Sequence, residues 1–168
     1  GGGLYLQNRG HATLNGVRVS GNQAGHPASF GGGGVTQRGG GIFNLEGNLN
    51  VVGSAVVDNV AVRGGGISNF GGLVRIENSS VMDNEARSLG GGLENRHNQG
   101  NGELKHGRMH IVFSTVTGNR SATSLADPAE LLARGEPVGR AHRQAHLVAT
   151  LESGDAHHVE LVEVGRED

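Results

Sequence analysis

The sequence contains no cysteine and no tryptophan, and its aromatic residues are one tyrosine and four phenylalanines in 168 residues. Without cysteine the chain can form neither a disulfide framework nor a thiolate metal site. So few large side chains argue against an ordinary globular core. No stretch approaches the roughly 18 apolar residues of a membrane-spanning helix. Basic and acidic residues number 14 and 16, without the clustered basic footprint of nucleic-acid-binding proteins, so no nucleic-acid partner is expected.

Glycine is the residue that the chain has in excess. It accounts for 32 residues, about 19 per cent, where roughly 7 per cent is typical. A chain so poor in large side chains needs an architecture that gains stability by repetition. The chain begins with three glycines rather than with Met or an apolar leader, so any export signal is expected upstream in a longer parent protein.

Internal repeats run through residues 1–123. The triplet Gly-Gly-Gly occurs at 1–3, 39–41, 64–66 and 90–92, each time before an aliphatic residue. The last three triplets start 25 and 26 residues apart, and the first spacing is longer, 38 residues, because of an insertion at 25–38. Two asparagines recur in the repeats, and they are Asn44, Asn69 and Asn95 at the first position and Asn59, Asn84 and Asn119 at the second.

Each repeat carries three short apolar alternations bounded by glycine or asparagine. Three strands in about 25 residues fit one turn of a parallel β-helix, in which each strand pairs with its counterpart one coil away. We interpret the chain as an all-β, right-handed, single-stranded parallel β-helix of about four coils with three short strands each, followed by a non-repeat C-terminal tail. Equivalent asparagines should stack as ladders at about 4.8 Å, each amide bonding to the next.

The repeat pattern carries a family resemblance. The segment 64–86 reads GGGIxN, then S-x-V-x-x-N-x-A. It resembles the β-helix repeats of large bacterial surface and secreted proteins, the repeats of polymorphic outer-membrane proteins, and the pectin-lyase-like superfamily. The resemblance implies an extracellular or cell-surface location. It does not imply one function, because adhesins, cell-wall-associated proteins and polysaccharide-cleaving enzymes share this scaffold.

Two functions follow from the resemblance. The first is a non-enzymatic surface or secreted segment of a larger bacterial protein, an adhesin-like or glycan-binding scaffold whose partner is a polysaccharide or cell-surface glycan. The alternative is a polysaccharide lyase or hydrolase of the pectin-lyase-like kind, which commonly uses clustered acids for Ca²⁺ and a basic residue on one sheet face. We favour the first, because the chain has one lysine and because Arg63, Arg75 and Arg87 occupy different coil positions. No catalytic or cofactor-binding residue is assigned.

A second insertion, at residues 96–108, interrupts the fourth repeat. Loops on a rigid scaffold are where binding residues concentrate. This one is either a solvated loop or a basic surface for an anionic sugar, with the candidate residues Arg96, His97, Glu103, Lys105, His106 and Arg108. The first insertion, with His26, Phe30 and a run of glycines, is interpreted as flexible.

Asp58 and Asp83 precede ladder asparagines and lie one coil apart, 25 residues. Their carboxylates should therefore be neighbours at about the strand spacing. Simple solvation at an outward corner is the favoured state. Otherwise one carboxylate keeps its proton, or a Ca²⁺ ion bridges the pair with the help of neighbouring carbonyls as a weak, millimolar site.

Residues 124–168 depart from the repeats, because they contain no asparagine. This tail is a polar cap, a disordered segment or a foreign reading frame. Within it we expect a short helix from Asp127, a second helix over 140–151 and a strand over 159–164. His142 and His146 would lie on one helix face, an exposed pair or, with Asp155, His157 and His158, a Zn²⁺ site. The uncovered edge of the first coil makes edge-to-edge self-association an expectation as well.

Overall fold

The computed structural model describes residues 1–25, 37–100, 102–121 and 146–152, which form β-strands and no α-helix. None of these residues lies in a helix that could cross a membrane. The strands arise where apolar and polar residues alternate. In the segment Leu73–Glu77, Val74 and Ile76 are fully buried while Leu73 and Arg75 point outward and are exposed. That alternation is the signature of a strand with one face on the core.

Each coil supplies strands in the same order. The first coil has β1 (Leu4–Gln7), β2 (His11–Asn15), β3 (Arg18–Ser20) and β4 (Gln23–Ala24). The second has β5 (Ile42–Leu45), β6 (Asn48–Val52), β7 (Ala55–Val57) and β8 (Val60–Arg63). The third has β9 (Ile67–Phe70), β10 (Leu73–Glu77), β11 (Ser80–Met82) and β12 (Glu85–Leu89). The fourth has β13 (Leu93–Arg96), the hairpin β14 (Asn98–Gly100) and β15 (Glu103–Lys105), then β16 (Arg108–Thr117) and β17 (Arg120–Ser121).

The coils stack into three parallel sheets. The first sheet has the order β1-β5-β9-β13, and the third has β17-β12-β8-β4. The middle sheet contains two stacks, one from β2, β6 and β10 and one from β3, β7 and β11, which the long strand β16 joins by pairing with both β10 and β11. The predicted all-β architecture of stacked parallel strands, as in a parallel β-helix, is confirmed. The structure adds to the three predicted strands of each coil a fourth short one, such as β12.

The register between coils follows the sequence repeats. Leu4 pairs with Ile42, Ile42 with Ile67 and Ile67 with Leu93, so the residue after each glycine triplet occupies the same position in every coil. The core is a column of inward aliphatic side chains from successive coils, ten of which are at most 2% exposed, namely Ile42, Leu49, Val51, Val56, Ile67, Val74, Ile76, Val81, Met109 and Ile111. Each such burial stabilises the fold by about 1.5–3 kcal/mol.

Both predicted asparagine ladders are present. The Nδ2 of Asn44 donates to Oδ1 of Asn69 at 2.8 Å, and Asn69 donates in the same way to Asn95 at 2.8 Å. The second ladder runs from Asn22 through Asn59, Asn84 and Asn119, with distances of 3.0, 2.9 and 2.9 Å. A serine ladder accompanies them, because the hydroxyls of Ser54, Ser79 and Ser114 each accept from the backbone N–H of the preceding coil. These ladders satisfy buried polar groups at the corners.

The predicted helix over 140–151 is wrong for the part that the structure describes. Residues His146–Glu152 form strand β18, which pairs antiparallel with β16. An open strand edge offers unpaired N–H and C=O groups, and pairing with that edge outweighs a weak local helix pattern. Several other predictions lie outside the described residues. They concern the helix from Asp127, the strand over 159–164, the boundary at residue 123, and the residues His26, Phe30, His142, Asp155, His157 and His158.

Candidate functional site

The insertion of the fourth coil is an antiparallel hairpin. Strands β14 and β15 pair from Asn98 with Lys105 to Gly100 with Glu103. Its base is held to the second coil by Glu46, whose carboxylate accepts from Lys105 Nζ and from Asn98 Nδ2, both at 2.5 Å. Two residues of the insertion are therefore tied to a coil more than 50 residues away in sequence.

Glu46 owes its position to the corner that follows β5. Its φ of 59° is left-handed, and its backbone N–H donates to Phe70 O at 3.0 Å in the third coil. The hydrogen bond from Lys105 is the main influence that holds the pKa of this carboxyl below its usual range, against partial burial, which raises it. The Asn98 hydrogen bond and the charges of Lys105 and Arg9 lower the pKa further. Glu46 is consequently an ionised, paired carboxylate at neutral pH.

A cleft of about 410 Å³ lies between the hairpin base and the outward face of the middle sheet. Its floor follows from the coil register, which aligns Asn48, Leu73 and Arg108 on neighbouring strands. His110 follows Arg108 by two positions and so points outward as well. The lining residues are Glu46, Asn48, Gly71, Gly72, Leu73, His106, Arg108 and His110.

Two glycines let the hairpin approach this floor. A Cβ on Gly71, whose φ is +71°, would lie 2.8 Å from the Cβ of Asn98 in the hairpin. A Cβ on Gly72 would lie 2.4 Å from Nδ2 of the ladder residue Asn44. Real Cβ atoms do not come so close to other heavy atoms, so a larger residue at either position would displace the hairpin or the ladder.

The outward face of the middle sheet continues from the cleft as rows of polar side chains. Asn48 Nδ2 lies 3.3 Å from His11 Nδ1, and Asn50 Nδ2 lies 3.5 Å from the Thr13 hydroxyl. In the third coil, Arg75 Nε donates to Glu77 Oε2 at 3.1 Å. This face offers hydrogen-bond donors and acceptors in every described coil, which suits a ligand rich in hydroxyl groups.

The structure separates the candidate residues of the insertion. His106 and Arg108 line the cleft, and Lys105 forms an ion pair with Glu46 at its edge. Arg96 lies 4.0 Å from Glu94 instead, and His97 and Glu103 are not among the lining residues. Sequence reasoning missed the three other polar lining residues, Glu46, Asn48 and His110. Register and outward alternation could have found Asn48 and His110, but no local signal joins Glu46 to a hairpin so distant in sequence.

A second charged cluster is buried on the outer side of the first sheet. Arg38 Nη1 donates to both carboxylate oxygens of Glu94, at 2.9 and 3.1 Å, and Ser68 Oγ donates to Glu94 at 2.7 Å. The Arg38 guanidinium also lies 5.0 Å from the centre of the Phe70 ring. Burial is the main influence that lowers the pKa of Arg96. The charge of Glu94 raises this pKa, whereas the charges of Arg38 and Arg63 lower it further. Arg38 Nη1 and the Glu94 carboxylate satisfy each other, whereas the buried Nε of Arg38 has no hydrogen-bond partner in the part of the chain that the structure describes. We interpret this buried, paired cluster as structural.

The predicted acidic pair occupies equivalent corners of neighbouring coils. Val57 pairs with Met82, so Asp58 and Asp83 follow in register, with φ values of 56° and 52°. Asp58 lies 3.9 Å from Arg18, both side chains being 61% exposed, an arrangement that contributes little to stability. Asp83 leans over Gly118 of the fourth coil, because a Cβ there would meet its Oδ1 at 2.1 Å. The two carboxylates thus have different neighbours.

Calcium binding by Asp58 and Asp83 stays a prediction. Among the residues that the structure describes, no three His, Asp or Glu side chains come together as metal ligands. A pair alone provides few of the six to eight oxygens that Ca²⁺ takes. Calcium titration of the melting temperature tests it, and a rise at millimolar Ca²⁺ that disappears in the Asp58→Asn, Asp83→Asn double variant would support the site.

No protein-family model, curated protein or solved structure matches the chain. The likeness to pectin-lyase-like and surface proteins is therefore one of repeat pattern. Function has to be argued from the chemistry of the cleft itself.

Proposed function

We propose that the chain is a non-enzymatic, glycan-binding β-helix segment of a larger surface or secreted bacterial protein, and that the cleft beside the hairpin holds an anionic sugar. The observation that carries the proposal is the composition of the cleft. Arg108, His106 and His110 lie around one floor, and Lys105 neutralises the carboxylate of Glu46 at its edge. The cleft thus combines the cationic guanidinium of Arg108 with two imidazole rings, and Lys105 compensates the negative charge of Glu46.

Each lining group has a distinct part in recognition. The planar guanidinium of Arg108 matches a carboxylate or sulfate with two parallel hydrogen bonds. The imidazoles of His106 and His110 each carry ring nitrogens that can form hydrogen bonds with the hydroxyl and carboxylate groups of a sugar. The amide of Asn48 both donates and accepts, as sugar hydroxyls require. A volume of about 410 Å³ lies within the range of small-ligand sites and fits a short saccharide.

The scaffold suits this use. Binding residues placed on strands that are locked by ladders lose little conformational entropy when a ligand arrives. Repeated coils also make a stiff rod, which would hold the cleft away from the rest of a parent protein.

The test is calorimetric titration with a uronate oligosaccharide and with its neutral counterpart. We expect the acidic sugar to bind more tightly, and Arg108→Gln to weaken that binding about 10- to 100-fold, since charge-assisted hydrogen bonds contribute about 1.5–3 kcal/mol. Arg120→Gln is the matched control, because Arg120 is equally part of the fourth coil and exposed but lies in the third sheet. Equal affinity of the two variants, or no binding of the acidic sugar at millimolar concentration, would refute the proposal.

A lyase is the second candidate, because the same cleft pairs a cation for a uronate carboxylate with imidazoles that can accept a proton. In that reaction a base removes the proton next to the carboxylate, a double bond forms in that sugar, the glycosidic C–O bond breaks, and the oxygen of the departing sugar takes up a proton from an acid or from water. Incubation of the protein with polyuronate distinguishes the candidates. An ultraviolet absorbance that grows as an unsaturated sugar forms, and that disappears in the His110→Gln variant, would show that the chain is a lyase rather than a binding protein.

A further inference from the structure

Phe113 occupies a corner that disfavours a large side chain. The register of β16 with β11 places Phe113 one residue before Ser114, in line with Asn78 before Ser79. The corresponding residues of the first two coils are Gly16 and Gly53. All four have left-handed backbones, with φ values of 64°, 53°, 47° and 48° from the first coil to the fourth. Glycine and asparagine tolerate this conformation, whereas a bulky residue there is strained by on the order of 1–3 kcal/mol.

Burial does not compensate this strain. The Phe113 side chain is 70% exposed, the highest exposure among the large hydrophobic side chains of the described residues. An aromatic ring gains stability mainly by removal from water, and this ring remains largely in water. The folded state therefore gains little from phenylalanine at a position where the other coils have glycine or asparagine.

The strand is also irregular at this residue. Pairing of β16 with β18 shifts register between Ile111 and Ser114, so that β16 has one residue more than its partner over this stretch. Such bulges bend a strand and re-aim a side chain, and they are frequent beside binding sites. Strain, exposure and the bulge are three observations on one residue, and together they indicate a ring that is presented outward.

The ring and the cleft belong to one strand. Arg108 and His110 line the cleft at the start of β16, and Phe113 follows five residues after Arg108. At about 3.3 Å per residue the two lie on the order of 16 Å apart, which is the span of an oligosaccharide rather than of one sugar. Glu77 and Asn78 are the neighbours of this corner in the third coil. A single ring among polar groups lacks the contiguous apolar area of a protein interface.

We infer that Phe113 is a second contact for the glycan, a platform on which the apolar C–H face of a pyranose ring stacks while the charged end of the same chain occupies the cleft. The inference rests on the proposed function and deepens it. It makes the ligand an extended anionic polysaccharide that lies along β16, with an acidic residue at the hairpin and a sugar face at the corner.

The experiment compares Phe113→Asn and Phe113→Tyr with the unaltered protein, using a short acidic saccharide that fills only the cleft and a longer one of the same repeat. We expect Phe113→Asn to weaken binding of the long saccharide about tenfold and to leave the short one unchanged. Its melting temperature should rise by about 2–4 °C, because asparagine suits the corner. Phe113→Tyr keeps the ring and should bind both saccharides as before.

The outcomes separate the two ideas. If both saccharides bind the unaltered protein and Phe113→Asn changes neither affinity, the inference that a sugar stacks on Phe113 is wrong, while the proposal of binding in the cleft is unaffected. An equal loss for both saccharides would also overturn the platform, because the substitution would then act through the cleft. If neither saccharide binds the unaltered protein, the glycan-binding function fails and the platform fails with it.

Discussion

At the scale of single residues, the asparagine ladders show how a chain with few large side chains satisfies its interior. Asn69 donates to Gly72 O at 2.8 Å, to Asn95 at 2.8 Å and to Arg108 O at 3.1 Å, and it accepts from Asn44. It is fully buried. One amide therefore ties three coils together, which no aliphatic side chain of that size could do.

We predict that Asn69→Ala lowers the free energy of unfolding by about 2–4 kcal/mol, since several buried hydrogen bonds are lost and their partners stay buried. Asn50→Ala should cost less than about 0.5 kcal/mol, because Asn50 is exposed and makes one long hydrogen bond of 3.5 Å. Denaturant titration measures both. Similar costs for the two variants would mean that the ladder does not stabilise the fold.

The first coil breaks this ladder. Leu6 pairs with Asn44 where the other coils have asparagine, and Oδ1 of Asn44 is buried without a hydrogen-bond partner in the described part of the chain. An unsatisfied buried acceptor costs about 1–3 kcal/mol. The orphaned oxygen is the direct consequence of leucine at position 6, which has no donor to offer.

Leu6→Asn should supply the missing donor and Leu6→Ala should not, although both remove the leucine from the edge of the core. We predict that the asparagine variant is more stable than the alanine variant by about 1 kcal/mol. Thermal or denaturant melting measures the difference. This difference in stability should disappear when Asn44 is also replaced by alanine in both variants. A difference that persists without Asn44 would rule out the proposed hydrogen bond.

At the scale of elements, the docked hairpin depends on an ionised carboxylate. The pKa of Glu46 is lowered in the folded protein, mainly by the Lys105 hydrogen bond, so the folded state binds this proton less readily than the unfolded chain. The stability it contributes is present above the unfolded pKa, about 4.3, and is lost as the pH falls through the lower folded pKa. The hairpin should therefore loosen in acid rather than in base.

We predict that the difference in melting temperature between the unaltered protein and Glu46→Gln is largest above about pH 5 and shrinks below about pH 4. Other carboxylates titrate in both proteins and cancel in this comparison. Hydrogen exchange of the hairpin amides at the same pH values locates the effect. A constant difference across this range would show that the Glu46 charge does not hold the hairpin.

Much of the element pattern could be predicted from sequence, and the failures have physical causes. The coil register was predictable because triplets such as 39–41 and 64–66 recur with the coil period. Strand β12 was missed because Glu85–Leu89 reads EARSL, with no sustained apolar alternation, and it exists through pairing with β8. Strand β18 was mistaken for a helix, and the contact of Glu46 with Lys105 was invisible, because both depend on partners distant in sequence.

At the scale of the whole molecule, the two ends of the coil stack differ. The last coil has β18 paired along β16. In the part of the chain that the structure describes, β1, β2, β3 and β4 of the first coil each stand at the end of their stack. The inward side chains of these strands, such as Leu4 in β1 and Leu14 in β2, are only partly buried, and Tyr5 and Val17 are 46% and 38% exposed. Unpaired strand edges beside apolar side chains are a template for association.

We predict concentration-dependent self-association of the chain through the first coil, which sedimentation velocity would detect. Val17→Lys should reduce it, because a charge on an edge repels a second strand and is costly to bury. Leu104→Lys is the matched control, since Leu104 is 48% exposed on the hairpin, away from this edge. A monodisperse monomer at all concentrations, or an equal effect of the two lysines, would show that the first coil is not the associating surface. A specific effect of Val17→Lys would mean that the chain associates through the edge of the first coil.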